Sequence, residues 1–395
     1  MNSADYDIIV IGAGPAGSSA AFSAASQARP RGERSVRVCL LERKERAGTP
    51  VRCGEGIGLK GASFNRFSIQ KEWIKASIAK FCLIAPDGTR VEFERGAEGY
   101  IVDREKMDFD LVQQAISAGC DYHCNTPVIS VVRIGERKYE CKSPSQSYYA
   151  PCVILAEGIE SRLARDLGWN TALSPEDVDS CAFCRISHDS IKNDTCVFYT
   201  GSKITPAGYA WVFPRGKKQA NVGIGVLGSH SKPGKAKYLL EAFVAYHFEK
   251  AEIFDLHCGG VPAGRWLNPL VRDGVMIVGD AARQVISLSG AGINYSIYAG
   301  QQAGKIASEA FRNNSIDYEH LQIYEKIWSS GLGKQQLRSF ALKKFLVERH
   351  NDKFLNRIAA SLSRKKPEKL SILVVFLRAF ISNPIALIKA FLLFK

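Results

Sequence analysis

The sequence predicts an α/β protein: a Rossmann-like dinucleotide-binding domain split in sequence, an inserted antiparallel-sheet domain, and a C-terminal helical segment. Three observations carry this reading. A glycine-fingerprinted strand–turn–helix opens the chain at Asp7–Gly17. A second strand-to-helix turn, around Gly279-Asp280 and Gly292, lies far downstream. Between them run strands with the alternation of an antiparallel sheet. A nucleotide site assembled from both ends of a chain requires another domain inserted between them.

The opening unit reads in order. Ile8 to Ile11 is an apolar run with no polar break, as suits a strand buried on both faces. Gly12, Gly14 and Gly17 follow at dinucleotide spacing. The first permits the tight turn, the second lets the backbone approach a pyrophosphate, and the third lets the helix pack against the strand. Ser18 to Ala28 is Ala-rich and reads as that helix, whose N-terminus offers unpaired N–H groups to phosphate. A second apolar run, Val36 to Leu41, ends at Glu42, placed to accept hydrogen bonds from a ribose.

Composition bounds the rest. The chain has 395 residues, 46% of them hydrophobic, which suits a globular protein of about two or three domains. The first apolar run carries the glycine fingerprint rather than a cleavage site, so no secretory signal is expected. Eleven cysteines without framework spacing point to a reducing cytosol. Cys181-x-x-Cys184 is expected to be structural, since on a strand its two thiols face opposite sides. The net charge is +14, of which residues 331–395 carry +11, from 14 basic against three acidic side chains.

Further along, Arg46 to Lys60 is a Gly-rich loop containing Cys53, Gly54, Glu55 and Gly56, able to bring backbone amides against a flat ring or phosphate. Phe81 to Arg95 reads as a hairpin turning at Pro86-Asp87-Gly88. A helix is expected over Glu105 to Ala118, two short strands within Cys120 to Val132, and a buried strand at Cys152–Leu155. Asp179 to His188, Thr195 to Thr200, Tyr209 to Pro214 and Ala220 to Val226 alternate as sheet strands, with a polar turn at Arg215 to Lys218. Gly223, Gly225 and Gly228 also satisfy G-x-G-x-x-G. No helix or acid-ended strand follows them, so they are read as a strand packing closely against a ligand or backbone. Val275 to Val278 is another buried strand, ending in Gly279-Asp280. A helix then runs from about Gly290 through Arg312.

After Gly331 the composition changes. Arg338 to Lys366 mixes basic residues with apolar ones at helical spacing, and Leu370 to Phe394 is strongly apolar. A membrane span needs about 20 apolar residues with few charges, whereas this stretch holds Arg378, Asn383, Pro384 and Lys389. On one helix Ser371, Arg378, Ser382 and Lys389 share a face. That pattern suits a helix lying in the membrane interface, with basic residues reaching anionic headgroups. A helical cap on the protein's own core, or a dimer surface, is the alternative. A nucleic-acid role is not expected, because the basic residues are interleaved with aliphatic runs and no nucleic-acid motif occurs.

The residues from about Asp5 to Asn314 resemble the geranylgeranyl reductase family of flavoproteins, on the fold shared with p-hydroxybenzoate hydroxylase. Gly12-x-Gly14-x-x-Gly17, Glu42 and Gly279-Asp280 are generic to that fold. Pro50-Val-Arg-Cys53-Gly54-Glu55-Gly56-Ile57 is similar to the flavin-side loop of archaeal prenyl-lipid reductases. Tyr209-x-Trp211-x-Phe213-Pro214, followed by Gly223-x-Gly225, is the most specific match and lines the prenyl-chain cavity in the family. The resemblance implies FAD as cofactor. Gly12, Gly14, Ala16 and Gly17 would serve the pyrophosphate turn and Glu42 the adenosine ribose. Val128 would lie near the adenine by its backbone, and Arg104 comes from a matching Asp-Arg before a helix. Cys53, Gly54 and Gly56 would pass near the flavin. Gly279 and Asp280 would take the ribityl chain, and Gly292 and Ile293 would present amides to the flavin carbonyl end. Two departures stand out: Ala291 replaces a usual glycine, and Glu157-Gly158 replaces the usual Asp-Gly.

The resemblance implies domains at 1–80, 100–172 and 262–330 for FAD, 81–99 and 173–261 for substrate, and 331–395 as a basic, apolar C-terminal segment. It implies reduction of geranylgeranyl C=C bonds by hydride from reduced flavin N5 plus a proton. Tyr209, Trp211 and Phe213 share one strand face (i, i+2, i+4) and make an aromatic wall for the chain. Cys53 and Tyr209 are the leading proton-donor candidates, with Glu55 or water behind them. The electron donor is NADPH or reduced ferredoxin, and a quinol is a further option. The substrate is a prenyl lipid or prenyl diphosphate, with a prenylquinone or chlorophyll tail as alternatives. The protein is expected to be cytoplasmic and peripheral on the inner face of the membrane. Competing readings are a flavin monooxygenase or halogenase, a flavoprotein passing electrons to a membrane quinone, and a non-catalytic flavin scaffold. The quinone reading lacks iron–sulfur cysteine spacing.

Overall fold

A computed structural model describes residues 4–27, 35–65, 67–348 and 351–363. The chain divides into two units, each drawn from separate stretches of sequence.

The first unit comprises residues 1–51, 104–172 and 265–337. Its centre is a six-stranded sheet. Ile8–Ile11 pairs in parallel with Val38–Leu41 on one side and Cys152–Leu155 on the other. Cys120–His123 and Val275–Ile277 extend the parallel order outward, and Val271–Arg272 closes one edge antiparallel. Every residue of Ile8–Ile11, Val38–Leu41 and Cys152–Leu155 is buried, as their unbroken apolar runs require. A four-stranded sheet made by Ala4–Asp5, Ser147–Ala150, Lys138–Lys142 and Ser130–Gly135 belongs to the same unit.

Two helices meet through small residues. Ile293–Arg312 lies against Pro15–Ala25, where Ala20, Ala21 and Ala24 are fully buried. A Cβ on Gly300 would fall 2.0 Å from the Ala16 carbonyl oxygen, and one on Gly304 would fall 2.1 Å from that of Ala20. The backbones touch because neither position carries a side chain.

The second unit comprises residues 52–103, 173–264 and the described residues from Arg338 on. Its eight-stranded sheet runs, in spatial order, Glu252–Pro262, Val178–Ser187, Gln219–Leu227, Tyr209–Gly216, Thr195–Tyr199, Ile74–Ile84, Arg90–Val102 and Gly56–Gly58. One face of the first four strands presents Ala182, Cys184, Ile186, Ala210, Val212, Ala220, Val222 and Ile224. These pack on Ala236, Leu240, Phe243 and Val244 of the helix Lys235–His247.

The division differs from the expected boundaries. Residues 52–80 and 100–103 group with the second unit, because Gly56–Gly58 and Ile74–Ile84 both pair with Arg90–Val102. The hairpin is much longer than the expected Phe81 to Arg95 and turns at Pro86-Asp87-Gly88 as read. Arg215 lies within the strand Tyr209–Gly216 rather than in a polar turn.

The C-terminal segment is seen in part. Asp352–Ser363 is a helix that buries Ala359 and Leu362 against Ala85 and Val91 of the hairpin. The Asp352 carboxylate accepts hydrogen bonds from the Ser202 amide (2.9 Å) and hydroxyl (2.8 Å). Lys343 of Leu332–Glu348 is buried and donates to Asp179 at 2.7 Å. From Arg338 on, these described residues belong to the second unit. The apolar run Leu370 to Phe394, with its Ser371–Lys389 stripe, lies outside the described residues. Among the described residues no helix is long and apolar enough to cross a membrane.

Two outcomes follow from this packing. Gly304→Ala improves helix propensity by about 1 kcal/mol but forces the crossing apart, so a net loss of roughly 2 kcal/mol is expected in the unfolding free energy from urea titration. Lys343→Met strands the Asp179 carboxylate among Cys181 and Tyr209, at a cost of about 3–5 kcal/mol near neutral pH. Burial already raises the Asp179 pKa, and Lys343 opposes that rise. Without Lys343 the folded-state pKa climbs further above the unfolded one, so the folded variant binds the extra proton as pH falls. Its stability deficit relative to the wild type should shrink toward acid pH, as read by thermal melts across pH.

Candidate functional site

In the first unit the glycine turn is set by two kinds of constraint. Gly12 ends its strand with φ +102°, and a Cβ there would sit 2.3 Å from the Ala156 carbonyl oxygen. A Cβ on Gly17 would sit 1.8 Å from the Gly12 carbonyl oxygen. The protein's own packing demands both. Gly14 is different, because nothing lies within 4 Å of the position its Cβ would take. It precedes the helix Pro15–Ala25, whose N-terminus has no side-chain cap and no acidic residue in its first turn. Open space in front of uncapped N–H groups is what an anion needs.

Glu42 braces this turn. Its Oε2 accepts from the Ala13 amide at 2.7 Å and its Oε1 from the Lys44 amide at 3.0 Å. A carboxylate has about four lone-pair sites, so capacity remains for a ribose hydroxyl. Val128 is half-buried against the same core.

The second turn lies in the same unit. Gly279 has φ +68°, and its Cβ would crowd the Ala16 side chain at 2.8 Å. Asp280 follows, half-buried, and its carboxylate accepts no hydrogen bond from the described residues. Burial raises its pKa, while the Arg104 guanidinium pulls the other way. Arg104 itself is gripped by both oxygens of Asp108, each at 2.8 Å. Gly292 opens the helix Ile293–Arg312, and a Cβ there would lie 3.5 Å from Asp280 Oδ1. Ala291 takes part in a short bridge to Ile286. A half-buried carboxylate without a protein donor, beside a helix start, fits a polyol hydroxyl. With the open floor at Gly14, the unit fits a dinucleotide such as FAD.

In the second unit, strand register assembles one sheet face row by row. Tyr209, Gly225, Cys181 and Gly259 form the first row, and Trp211, Gly223, Phe183 and His257 the second. Phe213, Asn221 and Arg185 form the third. The expected aromatic wall is present: ring centroids are 6.0 Å apart for Tyr209–Trp211 and 6.2 Å for Trp211–Phe213. Phe198 meets Tyr209 at 5.7 Å and Phe213 at 5.4 Å, extending the wall. Gly223 is required by it, because a Cβ there would lie 2.1 Å from the Trp211 ring. The discounted fingerprint is thus a seat for an indole.

The Cys53 loop belongs to this face. A Cβ on Gly54 would meet the Phe213 ring at 3.2 Å and Trp211 Nε1 at 3.4 Å, and one on Gly56 would meet Phe213 at 3.6 Å. Cys53 Sγ accepts the Glu55 amide at 3.2 Å. Glu55 is fully buried, with φ +66°. Its carboxylate is bonded to Arg215, accepts from Asn221 Nδ2 at 3.3 Å, and lies 3.7 Å from the Arg185 guanidinium. This clamp takes Glu55 out of the running as a mobile acid. Burial raises the Tyr209 phenol well above its usual value, and nearby Cys181, Asp179 and Cys53 add to the rise. Burial also pushes the Cys181 thiol up to about 12. Both side chains therefore carry their protons at neutral pH.

Sequence reasoning missed Arg185, Arg215 and Asn221. Alternation does put Asn221 on the face of Gly223 and Gly225, and Arg185 on that of Cys181 and Phe183. What it lacks is the partner: a buried acid in a glycine loop needs cations, and that need is the one signal that pointed to them.

The chain was compared with known proteins. Residues 177–261 match the family model described as the geranylgeranyl reductase catalytic domain, which spans the aromatic wall, Asn221 and the two arginines. A curated relative, digeranylgeranylglycerophospholipid reductase of Methanosarcina mazei, is 36% identical over 410 residues, covering 99% of this chain and 96% of the relative. A geranylgeranyl bacteriochlorophyll reductase-like protein of Thermoplasma acidophilum superposes with TM-score 0.91 at 27% identity, covering 99% of this chain and all of the other. The flavin-dependent brominase Bmp2, at TM-score 0.69 and 16% identity over 99% of this chain and 94% of its own, shares the fold alone. The sheet face built on Tyr209, Trp211 and Phe213 and the near full-length likeness agree: the chain belongs to the geranylgeranyl reductase family of oxidoreductases.

Proposed function

We propose that this protein is an FAD-dependent reductase that saturates the C=C bonds of geranylgeranyl chains on a glycerol ether phospholipid. The carrying observation is the second unit's sheet face, an aromatic wall with a cysteine loop packed on it. A branched polyene offers no hydrogen bonds, so it is recognised by apolar area, and Tyr209, Trp211, Phe213 and Phe198 supply that. The named activity of the curated relatives supports the same substrate class.

FAD would be held by Gly12, Gly14, Ala16 and Gly17 at the pyrophosphate and by Glu42 at the ribose. Val128 would lie at the adenine, and Gly279 and Asp280 at the ribityl hydroxyls. Arg104 stands beside Asp280 in the same unit and supports its charge. Gly292 and Ile293, in the same unit, would present their amides to the flavin. When bound and reduced, FAD supplies a hydride from N5. The hydride joins one alkene carbon and a proton the other, so C=C becomes CH–CH.

The protein's part is to hold the chain, exclude water and give the proton. Cys53 is the proposed donor. The Glu55 N–H at its sulfur stabilises the charge left when the proton goes. Tyr209 is the second candidate. NADPH or reduced ferredoxin would return electrons to the flavin. The basic residues beyond Ser363 would hold the protein peripherally on the cytoplasmic membrane face.

The decisive assay is anaerobic. Dithionite-reduced protein with geranylgeranylated ether lipid, and separately with geranylgeranyl diphosphate, should yield products heavier in steps of two hydrogens by mass spectrometry. Bound, reducible FAD with no mass gain on either would overturn the reading and turn attention to prenylquinones and to oxygen- and halide-dependent turnover. Cys53→Ala should cut the rate of alkene reduction about tenfold or more while leaving flavin content near wild type. Unchanged turnover would remove Cys53 from the chemistry and leave Tyr209.

A further inference from the structure

Asn221 sits between the two parts of the second unit's site and is 1% exposed. Its Oδ1 accepts from Trp211 Nε1 at 2.9 Å. Its Nδ2 donates to the Cys53 carbonyl oxygen at 3.0 Å and to Glu55 Oε2 at 3.3 Å. The orientation of the amide is fixed by chemistry: an indole N–H can only donate, whereas a carbonyl and a carboxylate can only accept. Both amide hydrogens and one oxygen lone pair are therefore committed. On this strand face the next positions toward the wall, Gly223 and Gly225, have no side chain, and Gln219 on the other side is exposed.

We propose that Asn221 is a positioning residue that sets the Cys53 thiol relative to the aromatic wall. The inference rests on the proposed reductase reading and assigns a role within it. Asn221 holds the Cys53 backbone through its carbonyl. It also holds Glu55, whose own amide donates to Cys53 Sγ. Arg215 bonds the same oxygen, Oε2, and Arg185 lies near Oε1. On the other flank Asn221 holds the Trp211 indole, which lies flush over Gly223 and has no room to tilt downward. One amide thus ties the proton-donor loop to the surface on which the prenyl chain would lie. Without it Cys53 keeps its covalent place in the loop but loses its fixed approach to the wall.

The test reads the thiol directly. FAD-loaded wild type and Asn221→Ala are treated with iodoacetamide, and alkylation at each cysteine is followed by peptide mass spectrometry. Cys124 and Cys258 are exposed and serve as internal controls. Loss of the tie is worth about one hydrogen bond, so Cys53 alkylation should rise about fivefold with Cys124 and Cys258 unchanged. In turnover, kcat should fall about tenfold with a smaller change in KM. Trp211→Phe, which leaves the bonds from Asn221 to the loop intact, should change Cys53 alkylation by less than about twofold.

Unchanged Cys53 alkylation in Asn221→Ala, or a rise matched by the control cysteines, would overturn the positioning role. If Asn221→Ala accumulates poorly, Asn221→Thr keeps the strand preference, cannot reach Cys53, and gives the same readout. The thiol measurement does not depend on turnover. A wild type that reduces no prenyl chain would sink the functional reading, and alkylation would still decide the role of Asn221.

Discussion

A carboxylate with no solvent exposure is the constraint on which the second unit turns. Glu55 sits in a left-handed backbone conformation inside a glycine loop, with Arg215 and Arg185 on its oxygens. Desolvating such a charge costs several kcal/mol, and the cost is recovered only when the hydrogen bonds are complete. Completeness here requires three strands to be in register: Tyr209–Gly216 brings Arg215, Gln219–Leu227 brings Asn221, and Val178–Ser187 brings Arg185. The carboxylate therefore reports on the sheet, and the sheet in turn fixes the loop. Because Glu55 also donates its amide to Cys53 Sγ, the same constraint reaches the thiol.

The glycines of the two units show how one residue type answers different demands. Gly17 and Gly304 are glycine because backbone lies about 2 Å from where a Cβ would be. Gly223 is glycine because an indole lies there. Gly14 has open space at the same position, and nothing in the protein asks for its missing side chain. The turn at Gly14 thus leaves room for a ligand beside an uncapped helix start, while the turn at Gly223 is filled by the protein itself. Both satisfy the same spacing pattern; the elements that follow tell them apart in sequence, and the surroundings do so in the structure.

Much of the fold was legible in the sequence because its signals are local. The unbroken apolar runs at Ile8 and Cys152 became the centre of a parallel sheet, and the alternation from Tyr209 to Phe213 became a single aromatic face. What stayed hidden depends on partners distant in sequence. Arg215 looked like part of a polar turn, because nothing near it announces a buried acid 160 residues earlier. Lys343 looked like one more charge in a basic segment, yet it is buried against Asp179. The domain boundary moved for the same reason. Residues 52–80 follow the strand that ends at Glu42 in sequence, but Gly56–Gly58 and Ile74–Ile84 pair with Arg90–Val102. Periodicity gives the face on which a residue lies and is silent on what meets it there.

On the proposed chemistry, the surroundings favour one of the two proton-donor candidates. Tyr209 is surrounded by groups that oppose a negative charge: burial comes first, then Cys181, Asp179 and Cys53. Giving up its proton would place a phenolate among them. Lys343 does not relieve this, because it is spent on Asp179. Cys53 has a backbone N–H at its sulfur, so the charge it would hold is met by a donor already in place. That donor belongs to Glu55, whose carboxylate is neutralised by Arg215 and Arg185 rather than left facing the thiol. The buried ion cluster thus does two things at once: it holds the loop still, and it keeps its own negative charge from opposing the loss of a proton from Cys53. On the proposed chemistry, an aromatic wall that recognises a polyene by apolar area depends on the residues behind it to place a proton donor, and Cys53 is the side chain those residues prepare.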